Sequence, residues 1–144
     1  MISEKNIVIF LVDDDALFLK YLEIEFEQQF NVTIKKYATG EDCLEHLSQN
    51  PDIIILDYYL NSVNEQAING LQTLEKIKEC NPKIPVIMLS SQDSIDVAVS
   101  CMKNNAYDYI VKSETAFFRL QKAITSYFDH QKIEKALSWY MEKM

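Results

Sequence analysis

The sequence predicts an α/β protein built on a doubly wound, five-stranded parallel sheet. Three observations predict it. Short strand-like segments recur at residues 7–12, 32–37, 53–56, 86–89 and 109–111, apolar throughout except for the alternating 32–37. The runs at 7–12, 53–56 and 86–89 contain no polar residue, the mark of strands buried on both faces. Amphipathic helical patterns separate the runs, and repeated β-α alternation implies a parallel sheet with helices on both sides.

Each element follows from its residues. Residues 7–12 are too short for a helix and rich in β-branched side chains, and they end at Asp13, Asp14 and Asp15. Phe18, Leu22 and Phe26 then recur at i+4, with Leu17, Tyr21 and Ile24 beside them, which predicts a helix with a broad apolar face. Residues 32–37 alternate as a shorter strand. Thr39-Gly40-Glu41-Asp42 opens a second helix with Cys43, Leu44 and Leu47 inward, and Asn50-Pro51 stops it. The third strand, 53–56, ends at Asp57. A stretch from Tyr58 to Asn69, polar in its middle, leads to a third helix over 70–80, with Leu71, Leu74 and Ile77 as its apolar stripe. Pro82 and Pro85 bracket the turn into the fourth strand, which ends at Ser90-Ser91. Ile95, Val99 and Met102 mark a fourth helix. The fifth strand ends at Lys112, and the pattern is helical from about Glu114 on.

Bulk properties narrow the class. The 144 residues, 48% hydrophobic, suit one domain with a sizeable core. A net charge of -8 repels phosphate backbones and argues against direct nucleic-acid binding. No apolar run approaches the roughly 20 residues needed to cross a bilayer. The apolar stretch at the N-terminus stops in three aspartates with no small-residue cleavage site, so it reads as a strand and not a signal peptide. Cys43, Cys80 and Cys101 are odd in number and lack CxxC spacing; they read as small buried or half-buried apolar residues in a reducing, cytoplasmic compartment. His46 and His130 are expected on exposed helix surfaces.

In a sheet of this kind ligands bind at the carboxyl ends of the strands. Those ends carry Asp13 and Asp14 on the first strand, Asp57 on the third, Ser90 on the fourth and Lys112 on the fifth. Singly, each has a plain structural role: an aspartate or serine at a strand end is usually a turn or cap residue, and a lone lysine a solvated charge. Together they converge on one edge. Three carboxylates there repel one another, and a bound cation would relieve them. Few hard oxygen donors suit Mg²⁺, which keeps several waters and often binds phosphate as well. The lysine and the hydroxyl suit phosphate oxygens.

The pieces IFLVDDD, IIILDYYL, PVIMLSS and AYDYIVK, at strands one, three, four and five, resemble the receiver domain of two-component response regulators. The likeness covers nearly all of residues 5–128. It implies a flavodoxin-like (βα)5 fold with strand order 2-1-3-4-5. It implies Asp57 as phosphoacceptor, and Asp14 and Asp57 as carboxylate ligands of Mg²⁺, with Asp13 acting through water and the Tyr59 backbone carbonyl completing the protein's share. It further implies Ser90 as the switch hydroxyl, Lys112 as the phosphate-binding lysine and Tyr109 as the switch aromatic. The donor would be a phosphohistidine on a partner, either a sensor histidine kinase or a histidine phosphotransfer protein. Phosphorylation would change the helix 4–strand 5–helix 5 face for a downstream protein target. Such a protein is a switch that catalyses only its own phosphorylation and dephosphorylation.

Two features depart from that family. Asn61 stands where a proline is usual, and the loop 61–69 is longer than usual; Val63, Ala67 and Ile68 could fold down there as a small turn. Lys112 is followed by Ser113 where the family commonly has a cis proline. A cis bond before a residue other than proline costs about 2.5–4 kcal/mol, so a trans bond is expected. Tyr59 and Gln92 flank the phosphate route of the resembling family and could tune the lifetime of the acyl phosphate.

Residues 1–128 are thus expected to form the receiver domain, and 129–144 a helical extension without a separate output domain. Phe117, Leu120, Ile124, Tyr127 and Phe128 should face the core. Ile133, Ala136, Leu137, Tyr140 and Met144 continue a helical period past it, with Trp139 and Met141 alongside. Such a stripe needs cover: a homodimer through this helix or through helix 4–strand 5–helix 5, a continuing chain, or a fold-back. Competing classes are weaker. An aspartyl phosphatase would carry DxD, but Tyr59 stands two positions after Asp57. No GxGxxG follows the first strand, against a dinucleotide enzyme. A pseudo-receiver serving only as an interaction or dimerisation module is the alternative kept.

Overall fold

A computed structural model describes residues 5–61 and 65–144. Five strands, β1 (Ile7–Val12), β2 (Val32–Tyr37), β3 (Ile53–Asp57), β4 (Val86–Ser90) and β5 (Asp108–Val111), alternate with five helices, α1 (Ala16–Gln29), α2 (Gly40–Glu45), α3 (Gly70–Cys80), α4 (Ile95–Lys103) and α5 (Ala116–Lys143). A short 3-10 turn, Leu47–Gln49, follows α2. All pairings are parallel and the order is β2-β1-β3-β4-β5, as the resemblance implied.

Strand periodicity sorts the core into two layers. Ile9, Leu11, Ile53, Ile55, Ile87 and Leu89 point to one face and meet Leu19, Leu22 and Phe26 of α1 and Leu120 and Ile124 of α5. Their alternates Phe10, Val12, Ile54, Leu56, Val86 and Met88 meet Cys43, Leu74, Ile77 and Cys101 of α2, α3 and α4. Each such fully buried side chain contributes roughly 1.5–3 kcal/mol. The uninterrupted apolar runs follow from this: a strand covered on both sides has no face for a polar residue.

The helices depart from expectation in instructive ways. On α1 the buried stripe is Leu19, Leu22 and Phe26; Phe18 packs half-buried beside it, and Leu17, Tyr21 and Ile24 are exposed. The apolar face is wider than the strip the sheet can cover. On α4 the expected markers Ile95, Val99 and Met102 all face outward, at 80%, 44% and 47% exposure. The small Cys101 and the half-buried Val97 pack inward instead. His46 is not an exposed helix residue: its ring stacks on Tyr37 at 5.0 Å and its Nδ1 pairs with the Asp42 carbonyl at 2.8 Å. His130 is exposed as expected and lies 3.3 Å from Glu134. Cys43 and Cys101 are buried as expected, but Cys80, the last residue of α3, is exposed and not a core residue.

In the long loop, Ala67 is buried and the Ile68 N–H donates to Glu41 Oε2 at 3.2 Å, so its second half does fold down; Val63 lies outside the described residues. No peptide bond among the described residues is cis, Lys112–Ser113 included. Helix α5 runs unbroken for 28 residues, with Ala116, Leu120, Ala123 and Ile124 buried and Ile133, Leu137, Tyr140 and Met141 exposed. Among the described residues no helix is long and apolar enough to cross a membrane.

Candidate functional site: an acidic cluster at the strand ends

β1 delivers Asp13 and Asp14 to the carboxyl edge of the sheet. The Asp13 N–H extends the β1–β2 ladder by donating to the Tyr37 carbonyl at 3.0 Å, which sets where its side chain points. The third aspartate has a different job. Asp15 caps α1, its Oδ1 accepting from the N–H groups of Leu17 and Phe18 at 3.1 and 3.2 Å. Its own N–H donates to Asp13 Oδ1 at 2.9 Å and so anchors that carboxylate.

Asp57 is the last residue of β3 and is buried. Just after it the Tyr58 N–H donates to Leu89, and the Tyr58 carbonyl accepts from Gly70 at 2.8 Å, tying the start of α3 to the end of β3. Gly70 is required here: any Cβ would collide with the Asp57 carbonyl and the Tyr58 backbone. The Asn69 capping box, with Gln72 N–H donating at 2.8 Å, then starts the helix.

Ligand oxygens of Asp13, Asp14 and Asp57 lie within 4.8 Å of one another. The Lys112 ammonium sits 2.7 Å from Asp13 Oδ2 and 3.5 Å from Asp57 Oδ2. It also lies over the Phe18 ring, 4.6 Å from its centroid. Its backbone N–H donates to the Ser90 carbonyl at 2.7 Å, which registers β5 on β4. Burial opposes the ammonium's charge, but the Asp13 and Asp57 carboxylates outweigh it and hold the Lys112 pKa above its ordinary value. Asp57 is strained electrostatically. Burial, then the Asp13 charge, push its pKa up to about 7, against the pull of Lys112 and the Tyr59 N–H.

The cluster fits a hard dication. Among the described residues Asp13 Oδ2 is buried, accepts no hydrogen bond of good geometry and has Lys112 as its ion-pair partner. An under-satisfied carboxylate oxygen among three acids suits water held by such a cation. Asp14 and Asp57 face the same cleft of about 410 Å³, which Tyr59, Asn61, Ser91, Gln92 and Lys112 also line.

Ser90 belongs to the group but lies beneath it. It is fully buried, and its Oγ accepts from the Gln92 N–H at 3.1 Å, so Ser91 and Gln92 form the surface there. The Tyr109 hydroxyl donates to the Gln92 carbonyl at 2.7 Å, and its half-buried ring packs on the α2–α4 side of the core. Burial raises the Tyr109 pKa, and contact with Ser90 opposes that. Gln92 therefore joins the serine to the tyrosine. Two contributors escaped the sequence: Phe18, whose spacing marked it only as core, and Asp15 as a cap, whose signal was its place immediately before the helix.

A five-stranded parallel sheet in this order, with buried carboxylates and a lysine at its carboxyl edge, defines an α/β protein of the doubly wound class whose candidate ligand site lies at that edge. The response regulator receiver domain family matches residues 9–125, and the chain belongs to that family. The DNA-binding transcriptional regulator NtrC of Escherichia coli K12 is 28% identical over 137 residues, covering 94% of this chain and 26% of NtrC. The chain thus spans about a quarter of the length of this relative. NtrX from Brucella abortus superposes with a TM-score of 0.80 at 23% identity, over 97% of this chain and 31% of NtrX. The signal receiver domain of a LuxO repressor protein from Vibrio parahaemolyticus gives 0.78 at 22%, over 92% and 98%. These likenesses extend the shared fold over almost the whole chain.

Proposed function

We propose that this receiver is a Mg²⁺-dependent phosphorylation switch with Asp57 as phosphoacceptor. The observation that carries this reading is the packing of the Asp13, Asp14 and Asp57 oxygens within 4.8 Å, beside a lysine ammonium. Mg²⁺ held by Asp14, Asp57 and the Tyr59 carbonyl, with Asp13 acting through water, would supply Lewis-acid neutralisation of the phosphoryl oxygens. Asp57 attacks the phosphorus of a phosphohistidine on a sensor kinase or phosphotransfer protein as a carboxylate; the O–P bond of an acyl phosphate forms as the P–N bond breaks, and the partner's histidine imidazole leaves. The Lys112 ammonium, positioned by Asp13 and Phe18, turns toward the incoming charge.

The readout runs through Gln92. For Ser90 to donate to a phosphoryl oxygen, its buried Oγ must move toward the cleft, and that movement releases or carries with it the Gln92 N–H that it accepts from. The Gln92 carbonyl that moves with it holds Tyr109, so the loop and the ring shift together. That biases the α4–β5–α5 face between two states, where the outward Ile95, Val99 and Met102 await a protein target or a second copy. Residues 1–128 form the switch and 129–144 extend α5 as a helical arm, in a cytoplasmic setting. Tyr59 shields the acyl phosphate, so Tyr59→Ala should dephosphorylate several-fold faster; an unchanged lifetime rejects that part.

Incubation with Mg²⁺ and acetyl phosphate, read by intact mass, tests the switch. The wild type should gain one phosphoryl group and Asp57→Asn none. Equal gain in both, or none in either, overturns it.

A further inference from the structure

A second cleft, of about 440 Å³, opens at the opposite end of the sheet, under the amino ends of β1, β3 and β4. Residues 127–135 of α5 form its far wall, and they lie beyond the stretch matched by the receiver family, which ends at 125. The wall exists because α5 runs on past the sheet instead of stopping at its edge.

Its charge is inverted relative to the rest of the molecule. Lys5, Lys83, Lys132 and Lys135 line it, four of the 14 basic residues of a chain with net charge -8. The one carboxylate in the lining, Asp52, accepts the Val8 N–H at 2.8 Å. Glu134, nearby on α5, turns to His130. Lys83 and Lys135 have no ion-pair partner among the described residues. The floor and sides are apolar: buried Pro51, Ile84 and Pro85, with the half-buried rings of Tyr127 and Phe128. Lysines converging over flat apolar walls select an anion that carries a ring, and the volume falls within the roughly 300–1,000 Å³ of small-molecule sites. A macromolecular polyanion fits poorly, since the acidic remainder of the surface repels it.

We propose that this cleft binds a nucleotide-sized organic phosphate, its phosphates on the lysines and its planar ring against Tyr127 and Phe128. The ligand would clamp the projecting half of α5 to the body of the domain. The site shares no residue with the acidic cluster, so it stands or falls independently of Asp57 phosphorylation.

The test is a titration of the full 144-residue chain with ADP in EDTA, followed by amide chemical shifts. Saturable binding with a Kd of roughly 10–500 µM is expected, with shifts at residues 5–7, 50–52, 83–85 and 127–135. Lys83→Glu combined with Lys135→Glu should weaken it about tenfold or more while Asp57 phosphorylation is unchanged. Pyrophosphate should bind more weakly than ADP, and adenosine should not saturate. No saturation by about 10 mM ADP, shifts centred on Asp13 and Asp57, or an affinity indifferent to both charge reversals overturns the proposal. Pyrophosphate binding as tightly as ADP overturns the place of the ring.

Discussion

The two ends of the sheet are built oppositely. At the carboxyl end four carboxylates, Asp13, Asp14, Asp15 and Asp57, face one lysine, and the groups that matter most are buried. At the amino end four lysines face one carboxylate, and the lysines are exposed. At the first end strand termini and backbone ladders position the side chains. The second rests on one helix reaching past the sheet. Functional strain therefore concentrates at the carboxyl end, where like charges are held close together and largely buried, while substitutions of the exposed lysines at the amino end should be nearly free in stability.

Breaking the carboxyl end gives the largest effects. Asp57→Asn should abolish phosphoryl transfer, a loss of at least about 100-fold in single-turnover rate. Without Mg²⁺ it should also stabilise the fold by about 1–2 kcal/mol in urea titrations, since it removes a buried charge that Asp13 repels. Gly70→Ala should cost about 3 kcal/mol by the same measurement, because β3 backbone and not a flexible side chain occupies the Cβ position. Lys112→Ala leaves Asp13 buried and unpaired and should cost about 2–3 kcal/mol, together with most of the transfer rate.

The pH dependence sharpens the contrast. The Asp57 pKa in the fold, about 7, lies above its ordinary value of 3.8. Folding therefore favours the protonated form. The group's contribution is fully present below about pH 4 and is lost as pH rises through 7. Metal-free wild type should lose stability relative to Asp57→Asn as pH rises from about 4 to about 7, and Mg²⁺ should flatten the difference; parallel curves would contradict the electrostatic account. The smallest effect belongs to the amino end: Lys83→Glu should change stability by less than about 0.5 kcal/mol.

Much of this was legible in the sequence because strands buried on both faces leave uninterrupted apolar runs, and their last residues fall at one edge. Asp13, Asp14, Asp57 and Lys112 came together for that reason. Helical faces were harder. Ile95, Val99 and Met102 keep a helical period, but period does not say which side the sheet covers, and α4 buries Cys101 instead. His46 shares its ring with Tyr37, a cross-element stack that no local pattern signals. Phe18 sits under Lys112 from 94 residues away in sequence, and the lysine cleft draws on four separate segments, so neither leaves a motif.

The most direct measurement is to locate the phosphoryl group. After acetyl phosphate treatment, tandem mass spectrometry should find it on Asp57 in Mg²⁺ and find none in EDTA. Phosphate on another residue, or equal modification of Asp57 with and without Mg²⁺, would contradict the account.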